Sequence, residues 1–253
     1  MGKYDSSKTR VVPVFDALVQ VDATGGAWLG RLLQLPTGGT AFQPPVGWDL
    51  EIQDRGWGDA EKKLEPPVAL LSWLIRNPRR PPSGELSSDP VKAQKRRELM
   101  AGSRSRTVEG LALLRENPRG EEWHIFEGPS QPDVFIETPS VLVVIEGKGT
   151  EPKPTTSTKW MAGRHQMLRH IDCAWEVRGQ KQVVGFFVVE GDGGGEEVPQ
   201  QWVDYARETT AAASVASSLP HRGPEEQRQI ASCFIGVTTW QKICREFGID
   251  IGE

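Results

Sequence analysis

The sequence predicts an α/β fold in which helices flank a mixed central sheet, and three observations support that class. Short runs rich in Val, Ile and Phe, bounded by Pro, Gly and Ser, alternate with longer stretches of helical periodicity. From Asp89 onward their order is helix, three strands, helix, strand, helices, which is the order of an α/β sandwich. One run, Val141 to Ile145, is apolar at every position, as a central strand covered on both faces must be. The composition agrees: 253 residues with 37% hydrophobic and 25% charged residues suit one large globular domain, or a core with a substantial extension.

Taken in order, residues 1–85 read as a mainly helical extension. Val11 to Val21, Ala27 to Leu35 and Val68 to Ile75 are apolar-rich, and Gly25-Gly26, Pro36 to Gly39 and Gln43 to Gly47 punctuate them. The basic, proline-rich connector Arg76 to Gly84 is the best boundary, so residues 86–253 read as the α/β core with C-terminal helices. Asp89-Pro90 has the chemistry of a helix start: a carboxylate to cap free N–H groups, then a proline whose fixed φ suits the first helical position. That helical segment runs to about Glu116, interrupted near Gly102, and stops before Asn117-Pro118.

Glu122 to Glu127, Asp133 to Thr138 and Val141 to Lys148 follow as strands, with Pro139-Ser140 as the turn between the last two. Gly149 to Gly163, rich in Thr, Pro and Lys, reads as a mobile surface loop. Arg164 to Arg178 is an amphipathic helix with Met167, Leu168, Ile171, Ala174 and Trp175 on one stripe. Gln182 to Glu190 is a fourth strand. Pro199 to Leu219 and Pro224 to Phe247 read as helical, the second ending at Gly248 as a C-cap, although Cys233 to Trp240 fits a strand equally well.

Bulk properties exclude several classes. A net charge of −4 excludes a general basic coat, so any binding of nucleic acid rests on a local patch. Three cysteines without a C-x-x-C pair and four scattered histidines argue against structural zinc and for reduced thiols. With neither an apolar signal core nor an apolar run of membrane-spanning length, the expectation is a cytoplasmic protein with no membrane partner.

The chemistry concentrates at the ends of two adjacent apolar runs. Asp133 opens one, and Glu146-Gly147-Lys148 closes the next. Residues two apart in a strand share a face, so Glu146 and Lys148 point the same way as Leu142 and Val144. Ionisable groups at the end of a buried strand are costly unless they do something, such as hold a metal ion. Antiparallel pairing across Pro139-Ser140 would bring Asp133 within bridging distance of Glu146. Mg²⁺ takes oxygen ligands, typically one or two carboxylates completed by water and phosphate oxygens. It polarises a scissile phosphate and activates water, and a neighbouring lysine orients that water or stabilises the charge that develops. Asp133, Glu146 and Lys148 are sufficient for phosphodiester hydrolysis with Mg²⁺ or Mn²⁺. The plainer alternative is a strand-end Glu–Lys pair facing solvent, worth little to stability.

Pro132-Asp133 followed by Glu146-Gly147-Lys148 resembles the PD-(D/E)xK nuclease superfamily, over roughly Asp89 to Glu190. The resemblance implies a restriction-endonuclease-like core (αβββαβ), with Asp133 and Glu146 as metal ligands and Lys148 as the catalytic lysine. It also implies a further carboxylate from the helix before the sheet, for which Glu109 is the candidate ligand and Glu116 the second choice. Members resembling RecB-type exonucleases carry Gln-x-x-x-Tyr on the helix after the Glu-x-Lys strand. Here Gln166 is kept as a candidate site residue, and His170 stands in place of the tyrosine; it reads as a satisfied structural histidine. The substrate so implied is DNA, with RNA open as well. The competing reading is a catalytically inactive fold kept as a nucleic-acid-binding or assembly module, and a phosphohydrolase of small molecules is a third. For the N-terminal extension, target recognition, a homodimer contact and a lid all remain open.

Lys92, Lys95, Arg96, Arg97, Arg104 and Arg106, near Arg79 and Arg80, form a basic strip that would steer a phosphate backbone, unless it is simply a solvated face. Lys153, Lys159 and Arg164 would extend it. Gly147-Lys148-Gly149 is no P-loop, because Leu142 stands at the first glycine position and no Ser or Thr follows the lysine. Gly191 to Glu196 is no dinucleotide fingerprint, because Glu196 occupies the last glycine position.

Overall fold

The computed structural model describes residues 7–81, 86–149 and 151–250. A π-helical turn, Ser7–Val11, leads into α1 (Val12–Val21), followed by α2 (Leu29–Leu32), β1 (Thr37–Gly38), β2 (Asp54–Trp57) and α3 (Val68–Arg76). α4 (Pro90–Met100) starts as the sequence predicts, with the Asp89 carboxylate accepting from the amides of Val91 and Lys92. Gly102 breaks the run at a φ of 84°, and the Ser103 hydroxyl caps α5 (Arg104–Glu116). Then come β3 (Val134–Glu137), β4 (Val141–Gly147), the small hairpin of β5 (Ser157–Thr158) and β6 (Met161–Ala162), α6 (Gln166–Val177) and β7 (Gln182–Val189). The chain continues through α7 (Gln200–Thr210), α8 (Ala212–Ser218), α9 (Pro224–Ser232), β8 (Phe234–Thr239) and α10 (Trp240–Phe247). The stretch that fitted helix and strand equally is thus β8, and Gly248, left-handed at φ 64°, closes α10 as a C-cap.

The result is a mixed α/β fold around a six-stranded sheet of order β1-β8-β7-β4-β3-β2. β4, β7 and β8 run parallel to one another, while β1, β2 and β3 pair antiparallel to their neighbours. Alternation along the strands gives each face its own core. Val141, Val143, Ile145, Val184 and Phe186 pack with α1, α2 and α10. Leu142, Val144, Val183 and Phe187 pack with α6, α7 and α9, so Glu146 emerges on the α6 side. α6 lies so close to the sheet that a Cβ on Gly185 would stand 2.7 Å from Ile171. A third cluster gathers α3, α4 and α5 around Leu70, Leu74, Leu99 and Leu114.

One expected strand is absent. Glu122 to Glu127 has no strand structure. The guanidinium of buried Arg96 donates to the carbonyls of Trp123 and Ile125, taking acceptors that a ladder would need. Trp123, Ile125 and Phe126 turn into the third cluster instead. The position beside β3 is filled by β2, from the stretch read as a mainly helical extension, and β1 from the same stretch forms the opposite edge. The connection Gly149 to Gly163 likewise has more structure than a surface loop. It carries the β5–β6 hairpin, with Trp160 buried edge-on against Phe126 and beneath Arg96. Among the described residues, no helix is long and apolar enough to cross a membrane.

Candidate functional site

The turn between β3 and β4 is tied by Thr138, whose hydroxyl accepts from the amides of Ser140 and Val141. It sets Val134 opposite Ile145, and one further step of that register puts Asp133 opposite Glu146. Asp133 Oδ2 accepts the Gly147 N–H at 2.8 Å. The residue between Glu146 and Lys148 is a glycine for packing reasons: a Cβ there would stand 2.8 Å from Trp240 and 2.9 Å from Val11. Trp240 fixes this strand end further, its indole N–H donating to the Lys148 carbonyl at 3.0 Å.

The Glu146 side chain is buried and surrounded by donors. Its Oε1 accepts from Lys148 Nζ at 2.8 Å and from Gln166 Nε2 at 2.6 Å. Gln166 opens α6 and is bound to Thr155 through its own backbone amide at 2.9 Å, so the loop after β4 is tied to the same point. One helical turn on, His170 Nε2 lies 3.0 Å from Glu146 Oε2, off the line of a hydrogen bond, and its Nδ1 is 2.7 Å from the Ser130 hydroxyl. Among the described residues Oε2 is therefore a buried carboxylate oxygen without a hydrogen-bond partner. Sequence reasoning placed Gln166 here and kept His170 structural; the i, i+4 spacing of the two is what carries both to Glu146.

The two carboxyls are driven apart electrostatically. Burial, then the neighbouring charge of Glu146, pushes Asp133 up to about 7, against the pull of the Gly147 amide and Lys148. Burial works to raise Glu146 too, but His170 and Lys148 outweigh it and hold the carboxylate below its usual range. Like charges in one site cannot both ionise cheaply, and a divalent cation between them removes that conflict. The donor set fits a hard cation: two opposed carboxylates, one with an unpartnered buried oxygen, and no sulfur. Among the described residues no three His, Cys, Asp or Glu side chains gather as a cage.

Glu109 does not join this group through any described hydrogen bond or ion pair. Its carboxylate is taken by Lys95 at 2.9 Å and by Arg106, which hold it below the usual range. A cleft of about 680 Å³ opens beside Asp133 instead, walled by Lys8, Asp16, Trp57, Asp59 and Glu61. Glu61 is near enough to contribute to the upward push on Asp133. Nothing local in the sequence reports it; the pairing of Trp57 with Val134 brings the turn after β2 to Asp133.

Much of the expected basic strip is internal to the fold. Arg96 is buried, Lys95 and Arg106 neutralise Glu98 and Glu109, and Lys92 donates to the Glu121 carbonyl. Arg164 is fully buried between Glu127 and Asp172. Arg79, Arg80, Arg97 and Arg104 remain exposed. Compared with known proteins, the chain matches no family model, no curated protein and no solved structure.

Proposed function

We propose that this chain is a metal-dependent nuclease that hydrolyses phosphodiester bonds of DNA at Asp133, Glu146 and Lys148, within a restriction-endonuclease-like core of the PD-(D/E)xK type. The observation that carries this is the gathering of the three side chains at one end of β3 and β4, with the lysine ammonium 2.8 Å from a buried, ionised glutamate. A solvent-facing ion pair does not account for it, because Glu146 is 5% exposed and α6 closes over it through Gln166 and His170. The antiparallel series β2–β3–β4, followed by α6 and parallel β7, supports the same core, with β2 in place of the strand expected at Glu122 to Glu127.

Asp133 and Glu146 are the residues that would hold Mg²⁺ or Mn²⁺, which when bound supplies Lewis-acid polarisation of the phosphate and an activated water. Lys148 holds its ammonium where it can orient the attacking water and stabilise charge growing on the phosphate oxygens. Gln166 keeps Oε1 in place, so Glu146 cannot rotate away. Of the carboxylates that wall the cleft, Asp16, Asp59 and Glu61, it is Glu61 whose charge acts on Asp133, and Glu109 is not among them.

Labelled single- and double-stranded DNA, and RNA for comparison, incubated with the protein and Mg²⁺ or Mn²⁺, test this. Cleavage is expected to vanish in EDTA and to fall at least ~10²-fold in Lys148→Ala and Glu146→Gln. Cleavage indifferent to EDTA or to Lys148→Ala would sink the mechanism. Binding without cleavage, unaffected by Asp133→Ala, would favour the inactive binding module.

A further inference from the structure

The grip on Glu146 is asymmetric. Oε1 has two firm donors, Lys148 and Gln166, whereas among the described residues Oε2 is faced by His170 Nε2 at 3.0 Å without a hydrogen bond. That contact is close but off the line of a hydrogen bond, so it bounds the position of Oε2 while leaving its lone pairs unclaimed. The other ring nitrogen, Nδ1, is held at 2.7 Å by Ser130. Ser130 is itself fully buried and pinned, its amide donating to the Leu64 carbonyl at 2.7 Å and its carbonyl accepting from Leu64 at 2.8 Å. The imidazole thus stands between a fixed hydroxyl and the carboxylate, with the ring buried.

A side chain meant only to fill the core between α6 and β4 has no need of a polar atom aimed at a buried carboxylate, nor of a buried serine behind it. Polar groups in a low-dielectric site are costly unless each has its partner. We propose that His170, braced by Ser130, is the positioning residue that sets the affinity of Glu146 for a divalent cation. Lys148 and Gln166 fix one oxygen; His170 fixes the direction in which the other is offered. This rests on the metal-dependent reading of the site. Partners behind a ligand that hold its orientation commonly change metal affinity 10- to 100-fold when removed.

The test is Mn²⁺ binding to the full chain without nucleic acid, read from the electron paramagnetic resonance signal of the free ion, with circular dichroism as the control for folding. His170→Leu, which keeps bulk and removes the ring nitrogen that faces Oε2, is expected to weaken Mn²⁺ binding about 10- to 100-fold. His170→Gln, whose amide nitrogen reaches to where Nε2 stands, is expected to restore most of that affinity. Ser130→Ala, which leaves both Glu146 and His170 in place, is expected to weaken binding by less and in the same direction. Wild-type affinity in folded His170→Leu or Ser130→Ala overturns the assignment; if His170→Leu does not fold, Ser130→Ala and His170→Gln decide it. If the wild-type chain binds no Mn²⁺, or Glu146→Gln binds it equally well, the metal site itself falls, and this role with it.

Discussion

At the scale of single residues, Asp133 is a group whose place in the fold works against its own charge. Its carboxyl, pushed up to about 7 by burial and by Glu146, favours the protonated form in the folded chain, whereas the unfolded chain returns it to near 3.8. A folded-state pKa raised in this way gives stability that is fully present below pH 4 and is lost as pH rises through about 7. Asn mimics the protonated carboxyl, keeps an acceptor for the Gly147 amide and carries no charge at any pH. Asp133→Asn is therefore expected to melt several degrees above the wild-type chain at pH 8 in EDTA, a gain on the order of 1–2 kcal/mol, with the gap narrower at pH 5 and closed only below about pH 4. An equal gap at both pH values would show that the gain is not electrostatic. A site residue whose removal stabilises the fold is one retained for something other than folding.

At the scale of elements, the same question applies to α6, which presents Gln166 and His170 to Glu146 and carries Asp172 on its inner side. Arg164 donates to Asp172 at 2.8 Å, to Glu127 at 3.1 Å and to the Ser218 carbonyl at 2.9 Å, while Arg222 reaches Asp172 from the connection just before α9 at 2.9 Å. This network anchors α6 and with it the orientation of the two site residues. Arg164→Met removes one cation and leaves two buried carboxylates, so a loss of about 3–5 kcal/mol is expected in urea unfolding at neutral pH. Burial would raise Asp172, but Arg164, His221 and Arg222 hold it well below the usual range. Its contribution is therefore present above about pH 4 and lost below, and the gap between variant and wild type should narrow as pH falls. A loss under about 1 kcal/mol would mean that water, not Arg164, compensates the pair. Arg164 also shows where sequence reading stops. A lone arginine before a helix reads as a surface cation, and only the fold reveals that Glu127 and Asp172 close around it. The helix start at Asp89 was legible because a cap is a local bond within three residues. Asp133, Glu146 and Lys148 were legible because one short turn joins their strands. Glu61 beside Asp133 and His170 beside Glu146 depend on contacts between distant segments, which no window of sequence contains, whereas Glu109 is claimed partly by Arg106 three residues before it on the same helix.

At the scale of the whole molecule, the composition changes at the connector after Arg76, yet the sheet and its cores run across it. β1 and β2 edge the sheet on its two sides, and nine buried side chains between Val11 and Leu35 cover the face formed by Val141, Val143, Ile145, Val184 and Phe186. Burying a side chain of that size contributes about 1.5–3 kcal/mol, so uncovering four or five of them offsets most of the ~5–15 kcal/mol by which a domain is stable. β3 would also become an edge strand, apolar and unprotected, beside the turn that carries Asp133. A fragment of residues 86–250 is accordingly expected to lack a cooperative thermal transition, to bind the apolar dye ANS and to bind no Mn²⁺. The complementary change keeps the fold and isolates the cleft. Glu61→Gln lies in the turn after β2 and takes one negative charge out of the cleft beside Asp133. In that variant the fold should melt as in the wild type while Mn²⁺ affinity falls. A monomeric 86–250 fragment that melts cooperatively and binds Mn²⁺ as the full chain does would reduce the first eighty residues to an appendage; their place at both sheet edges and at the cleft argues the opposite.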